Sequence, residues 1–191
     1  MKTPLLETER LILKRGKLDD YIKVYEYDFT RLRNINGEFE YVKLNKDDLI
    51  GFDTYADREE LCMDFIIYLK ENNEPIGNIV YDRYDEKTNS LEVSYNLHPN
   101  YWKKGYMKEA VLETMKYIFD NYEFDNIRCG YAEENSNSRL LNEKIGFEYF
   151  NEHITYYKRI DKNIREIETI MSRKKFNSLY KKINSILKWY R

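Results

Sequence analysis

The 191-residue sequence predicts an α/β domain: a mixed, mostly antiparallel central sheet flanked by helices and followed by a helical tail. Three observations predict it. Three apolar runs between Met63 and Leu97, separated by turn residues, read as an antiparallel meander. A strand, a Pro turn, a basic loop with one glycine and a helix-periodic stretch then follow one another between residues 91 and 121. Finally, a strand–helix–strand order occupies residues 127–150.

Glu9 to Arg15 alternates polar and apolar residues and reads as the first strand. Asp19 and Asp20 supply acidic first-turn residues for a helix ending near Phe29. Residues 30–60 carry weaker signals: Asn45 or Asp47 as the cap of one helical segment, and a second segment over Ala56 to Leu61. Phe65-Ile66-Ile67-Tyr68 marks a strand over Met63 to Leu69. Turns at Glu71–Pro75 and Asp85–Ser90 bracket a second strand, Ile76 to Arg83, and lead to a third, Leu91 to Leu97.

Ala110, Val111, Thr114, Met115, Ile118 and Phe119 recur at helical spacing, so a helix is expected from Lys104 to about Asn121. Ile127 to Ala132 reads as a buried strand. Asn137 or Ser136 caps a helix running to Lys144, with Gly146 at its C-cap. Phe147 to Phe150 and Ile154 to Ile160 form a last hairpin.

The pattern changes after Ile160. Ile164, Ile167 and Met171, then Phe176, Leu179 and Ile183, follow within each run at three- and four-residue steps, which predicts an amphipathic helix. The chain therefore divides into a body, residues 1–160, and a basic helical extension, residues 161–191. The extension carries nine Lys/Arg against three Asp/Glu, a balance of +6, while the body carries 23 against 31, a balance of -8. Two roles suit such a helix: docking on the body or on a second subunit of a homodimer, or touching an anionic partner such as ribosomal RNA, a membrane surface or an acidic protein. The acidic body favours a cationic small partner over any other nucleic-acid contact.

Composition narrows the class further. Hydrophobic residues make up 42% and charged residues 35%, as in a soluble globular protein. No stretch approaches the roughly 18–20 apolar residues of a membrane span. Met1 to Glu7 has no apolar segment of signal-peptide length, so a cytoplasmic protein is expected. Cys62 and Cys129 sit in apolar runs and read as reduced core residues. With only His98 and His153 besides them, no metal site is expected.

Chemistry points to Tyr101-Trp102-Lys103-Lys104-Gly105-Tyr106-Met107-Lys108-Glu109-Ala110. A strand, a basic Gly-containing loop and a helix N-terminus together make an anion site, because unpaired N–H groups and the positive end of the helix dipole converge there. The Walker spacing is absent, and the dinucleotide fingerprint needs three glycines where this loop has one.

The loop resembles the pyrophosphate loop of the GNAT superfamily of acetyl-CoA-dependent N-acetyltransferases, written Q/R-x-x-G-x-G/A. Its closest likeness is to the ribosomal-protein N-acetyltransferase-like (RimJ/RimL-type) branch. Two further blocks carry the resemblance: Glu134-Asn135-Ser136-Asn137-Ser138 with Glu143-Lys144-Ile145-Gly146-Phe147, and Glu7-Thr8-Glu9-Arg10-Leu11-Ile12-Leu13-Lys14-Arg15 at the first strand. It spans roughly residues 5 to 158. Trp102 stands at the Q/R position and Met107 where the family has a small residue, so the Met107 side chain is expected to turn away.

The resemblance implies a GNAT fold and acetyl-CoA as co-substrate. It implies pyrophosphate binding by the backbone of Lys104, Gly105, Tyr106, Met107 and Lys108, with the charges of Lys103 and Lys104 behind them. A strand N–H at Asn96 or Leu97 would polarise the thioester carbonyl. Asn135 and Ser138 would meet the pantetheine arm, with Ser138 assisting the departing thiolate, because Asn142 stands where many relatives have a tyrosine acid. Glu92 matches a Glu of this branch and would be the general base; read from the strand alone, it is an exposed polar position.

The implied function is N-acetylation of an amine by direct attack in a ternary complex, with an α-amine of a protein or peptide as acceptor. A small polycation (polyamine or aminoglycoside) is the second reading, and a non-catalytic acyl-CoA-binding module the third. Candidate acceptor residues are Tyr25, Asp28, Tyr55 and Tyr156.

Overall fold

The computed structural model describes residues 1–25, 30–33, 39–42, 51, 60–157 and 161–189. Eight strands form one sheet in the order β1 (Leu6–Glu7), β2 (Leu11–Lys14), β5 (Met63–Leu69), β6 (Pro75–Asp85), β7 (Ser90–Leu97), β8 (Asn126–Ala132), β10 (Lys162–Ser172), β9 (Glu148–Tyr157). β3 (Thr30–Arg33) and β4 (Phe39–Val42) pair separately. The expected helical segments near residues 45–59, the end of the first helix at Phe29, and Asp28 and Tyr55 lie outside the described residues.

β5 is buried along its whole length because both of its faces are covered. Phe65 and Ile67 join the main core with Leu11, Leu13, Ile79 and Tyr81. On the other face Ile66 and Tyr68 pack under Tyr21 and Val24 of α1 (Leu18–Tyr25). That double coverage explains the apolar run from Phe65 to Leu69.

The main core is closed by α2 (Tyr106–Asn121), which buries Met107, Ala110, Val111, Thr114, Met115, Ile118 and Phe119 at three- and four-residue spacing. α2 begins two residues later than expected. Gly105, at φ 84°, is its N-cap, and this left-handed backbone cannot belong to the helix.

α3 (Ser136–Ile145) is capped by Asn135, whose side chain accepts from Ser138 N at 3.2 Å. Neither Asn137 nor Ser136, the residues expected there, is the cap. Gly146 is the left-handed C-cap, as expected, at φ 105°. A Cβ on it would lie 2.8 Å from Leu179 Cδ1, so glycine also lets the last helix approach.

The tail departs from its expectation. Lys162–Ser172 is not helical but a strand, paired antiparallel to β8 on one side and β9 on the other. Ile164, Ile167 and Met171 fit helical steps by coincidence; the strand's own alternation puts Thr169 and Met171 inward. The helix, α4 (Arg173–Trp189), therefore starts at Arg173, and residues 162–172 belong to the sheet of the body.

α4 docks on the body. Phe176 is 2% exposed and its ring centroid lies 5.3 Å from that of Phe119. The Arg173 guanidinium donates to the carbonyls of Phe119, Tyr122 and Phe124 around the end of α2, where the helix dipole favours a cation. Among the described residues, no helix is long and apolar enough to cross a membrane.

Candidate active site

β7 pairs with β6 from Glu92 to Leu97, but with β8 only through Ser90, Leu91 and Glu92. Beyond Glu92 the parallel strands separate, leaving a wedge in the sheet. A cavity of about 540 Å³ lies there. Tyr95, Asn96 and Leu97 of β7 form one wall. The loop and first turn of α2 (Trp102, Lys103, Gly105, Tyr106, Met107, Lys108) form another, and Asn135, Asn137, Ser138 and Leu141 of α3 a third.

Of the residues singled out for the cofactor, Asn96, Leu97, Lys103, Gly105, Tyr106, Met107, Lys108, Asn135 and Ser138 all border this cavity. Lys104 does not. Its carbonyl accepts from Arg10 Nη1 at 3.0 Å, and its ammonium lies 5.4 Å from the Tyr101 ring centroid. Met107 is 5% exposed and packs into the core, so the larger residue is accommodated inward.

Lys103 (φ 62°) and Gly105 (φ 84°) are both left-handed, a kind of backbone turn that can bring successive N–H groups to one side. Gly105 contributes no side-chain cap, so its helix's first turn leaves N–H groups for a guest. Trp102 Nε1 donates to the Leu97 carbonyl at 2.5 Å, tying loop to strand. An extended wedge ending at a basic loop and a helix N-terminus suits a chain-like thioester carrying a pyrophosphate.

Behind the cavity wall runs an oriented chain of hydrogen bonds. Tyr95 O–H donates to Asn142 Oδ1 (2.9 Å), Asn142 Nδ2 to Thr169 Oγ1 (3.1 Å), and Thr169 O–H to the Cys129 carbonyl (2.8 Å). Asn142 is 1% exposed and reaches no cavity surface, which accounts for a polar residue at that helical position. Burial raises the Tyr95 phenol well above its ordinary range, with Ser138 beside it. Burial pushes the Cys129 thiol up to about 12, and both cysteines are free and buried.

Glu92 points to the opposite face of β7 from Tyr95 and does not line the cavity. It occupies the last paired position before the strands part. Its side chain is 16% exposed, 2.9 Å from Arg83 Nη1 and 3.9 Å from Arg128 Nη1. Burial raises its carboxyl pKa, and the two guanidiniums hold that rise back. On the same face Asp64 is 2% exposed and accepts from the Tyr21 hydroxyl; burial raises it to about 6.

His98 caps a short turn through Nδ1, and His153 pairs with Glu166 at 3.0 Å on the outer strands. Tyr156 lies on edge strand β9 and Tyr25 ends α1; neither borders the cavity. No group of three or more metal-binding side chains occurs among the described residues.

Residues 10–148 match the family model of the acetyltransferase (GNAT) domain. The chain belongs to the GNAT acetyltransferase family. It is 29% identical over 147 residues to an uncharacterized N-acetyltransferase, p20, of Bacillus licheniformis, covering 75% of this chain and 82% of the relative. Among solved structures, a GNAT-family acetyltransferase from Bacillus anthracis matches with a TM-score of 0.72 and 22% identity, over 90% of this chain and 99% of the other.

A ribosomal-protein-S5-alanine acetyltransferase from Vibrio fischeri matches with a TM-score of 0.67 and 22% identity, over 89% and 97%. A spermidine N-acetyltransferase chimera from Vibrio cholerae and human sequences matches with 0.68 and 16%, over 87% and 97%. The GNAT fold is thereby secure. The protein is an acetyl-CoA-dependent N-acetyltransferase, and its likeness to the ribosomal-protein enzymes is one of fold.

Thr8, Arg10 and Glu109 were missed in the sequence as parts of this site. Arg10 and Glu109 form an ion pair at 2.6 Å beside the loop. The Glu7–Arg15 block carried the signal, but 99 residues separate the partners, so spacing could not join them.

Proposed function

We propose that this GNAT enzyme acetylates the α-amine of a protein or peptide, with the amine entering from the α1 face of the wedge and acetyl-CoA held in the cavity on the other. The observation that carries the reading is Glu92. It is a half-buried carboxylate braced by Arg83 and placed where β7 and β8 part. Acetyl-CoA supplies an acetyl thioester. Glu92 takes the amine proton, directly or through one water, as the nitrogen bonds to the acetyl carbon. The Asn96 or Leu97 N–H bears the charge on the carbonyl oxygen, and Ser138 bears the charge on the departing sulfur.

A carboxylate held between guanidiniums is a base of modest strength. An α-amine with pKa about 7.7–8 costs roughly 1 kcal/mol to deprotonate at pH 7, whereas a lysine-like amine near 10.4 costs about 4–5 kcal/mol. The modest base therefore favours the α-amine. One observation favours a small polycation instead: Asp64, Asp82 and Glu92 share the α1 face, and residues 1–160 carry a net charge of -8. The neighbours of this fold include enzymes named for both acceptor classes. α4 has no part in the chemistry in this reading, and a ribosome or a second subunit is the partner that the basic composition of the extension would suit.

Thiol release from acetyl-CoA decides between the two. Peptides with a free N-terminus, the same peptides N-blocked but carrying lysine, spermidine and an aminoglycoside would be compared at pH 7. Turnover of the free N-terminal peptides alone is expected. Faster turnover of spermidine or the aminoglycoside would replace the reading.

A further inference from the structure

Arg10 reaches from the turn before β2 into the cofactor loop at three places. Its Nη1 donates to the Lys104 carbonyl at 3.0 Å. Its guanidinium carbon lies 4.4 Å from the centroid of the Tyr106 ring. Its Nε and Nη2 hold the Glu109 carboxylate at 2.7 and 2.6 Å. Glu109 in turn accepts from the Arg10 backbone N–H at 3.0 Å and from the Thr8 hydroxyl at 2.5 Å. The first strand is thus clamped to the first turn of α2.

The clamp has a directional consequence. In a planar trans peptide the carbonyl and the next N–H point opposite ways. Arg10 draws the Lys104 carbonyl to its own side, so the Gly105 N–H faces the other side, where Gly105 borders the cavity. Gly105 is left-handed at φ 84°, and a Cβ on it would sit 3.4 Å from Arg10 Nη2. The guanidinium is thus in van der Waals reach of this position, and the positive φ is what favours glycine there.

We propose that Arg10 is a positioning residue for the cofactor, with Glu109 as its anchor: it fixes the 104–105 peptide so that the loop's N–H groups are aimed before the pyrophosphate arrives. The inference rests on placing the pyrophosphate at this loop.

Glu109 separates this from plain electrostatics. A carboxylate one turn from an anion site repels the anion, so removing its charge should tighten CoA binding if charge were all. If Glu109 anchors Arg10, Glu109→Gln weakens CoA binding instead.

The experiment is calorimetric titration of the full chain with CoA, for wild type, Glu109→Gln, Arg10→Gln and Arg10→Lys, alongside apo melting temperatures and acetyl-CoA kinetics. Loss of a charged hydrogen bond to the loop is expected to raise Kd about tenfold in Arg10→Gln and Glu109→Gln. The loss should fall on KM for acetyl-CoA rather than on kcat, and Arg10→Lys should not rescue it, because one ammonium cannot serve carbonyl and carboxylate in that fork. Should Arg10→Gln unfold, Glu109→Gln and Arg10→Lys carry the same test. Wild-type binding together with equal or tighter binding in Glu109→Gln would overturn the inference alone. A wild type that binds no CoA would overturn the cofactor placement and this inference with it.

Discussion

The Tyr95 hydroxyl donates to Asn142 Oδ1 at 2.9 Å, so a phenol from β7 reaches the helical position where the family resemblance anticipates one on α3. Burial keeps this phenol protonated, as a neutral donor within a closed chain ending on the Cys129 carbonyl. Tyr95→Phe strands a buried amide oxygen and should cost about 1–3 kcal/mol in urea unfolding. No loss of stability would mean that the bond is not formed. Ser138→Ala, by contrast, should leave stability nearly unchanged and lower kcat about 10–100-fold, or roughly 1.4–2.7 kcal/mol.

Glu92 should set the acidic limb of the pH–rate profile. The ionised carboxylate is the working form, and burial raises its pKa, so kcat/KM falls as pH drops through a value above the ordinary carboxylate range. Glu92→Gln should lower the plateau and remove that limb, leaving KM for acetyl-CoA in place. A limb that survives the substitution belongs to another group.

Asp64 should make stability depend on pH in the opposite sense to a salt-bridged carboxylate. Its folded pKa is raised to about 6 from an ordinary 3.8, so between those values the folded state holds a proton that the unfolded chain releases. Stability is then greatest below that window, declines as pH rises through it, and stays level above. Asp64→Asn keeps an acceptor for the Tyr21 hydroxyl and should stabilise the protein at pH 8 by roughly 2–3 kcal/mol. Paired denaturation curves at pH 4 and pH 8 check this, and a wild type with no slope across the window removes the assignment.

Phe176 should matter to the whole molecule. Buried against Phe119, it should cost about 3–5 kcal/mol when changed to Ala. Tyr149, 63% exposed on β9, should change stability by less than about 0.5 kcal/mol on the same substitution. Equal effects of the two in thermal unfolding would mean that α4 is not docked.

Much of this was legible because it is local. The meander from Met63 to Leu97, the buried stripe of α2, Gly146 at a C-cap and the loop around Gly105 each declare themselves within a few residues. What escaped is long-range or degenerate. Ile164, Ile167 and Met171 suit a helix and a strand alike, and only pairing with β8 and β9 chooses. The wedge depends on where β7 and β8 stop pairing, which is a matter of register. Arg10 meeting Glu109, and Tyr95 meeting Asn142, depend on how the chain closes.

The place of β10 bears on how this enzyme is made. A ribosome delivers β9 before β10, yet among the described residues β9 is hydrogen-bonded into the sheet through β10 alone. While the nascent chain is shorter than Ser172, the edge of β8 is bare and β9 has nothing to pair with. Closure therefore waits until Lys162–Ser172 has been made and can pair with β8 and β9 together. Fragments from early termination would carry the whole cofactor loop and yet present open strand edges to proteases and chaperones. Partial products of this gene would be cleared rather than partly active.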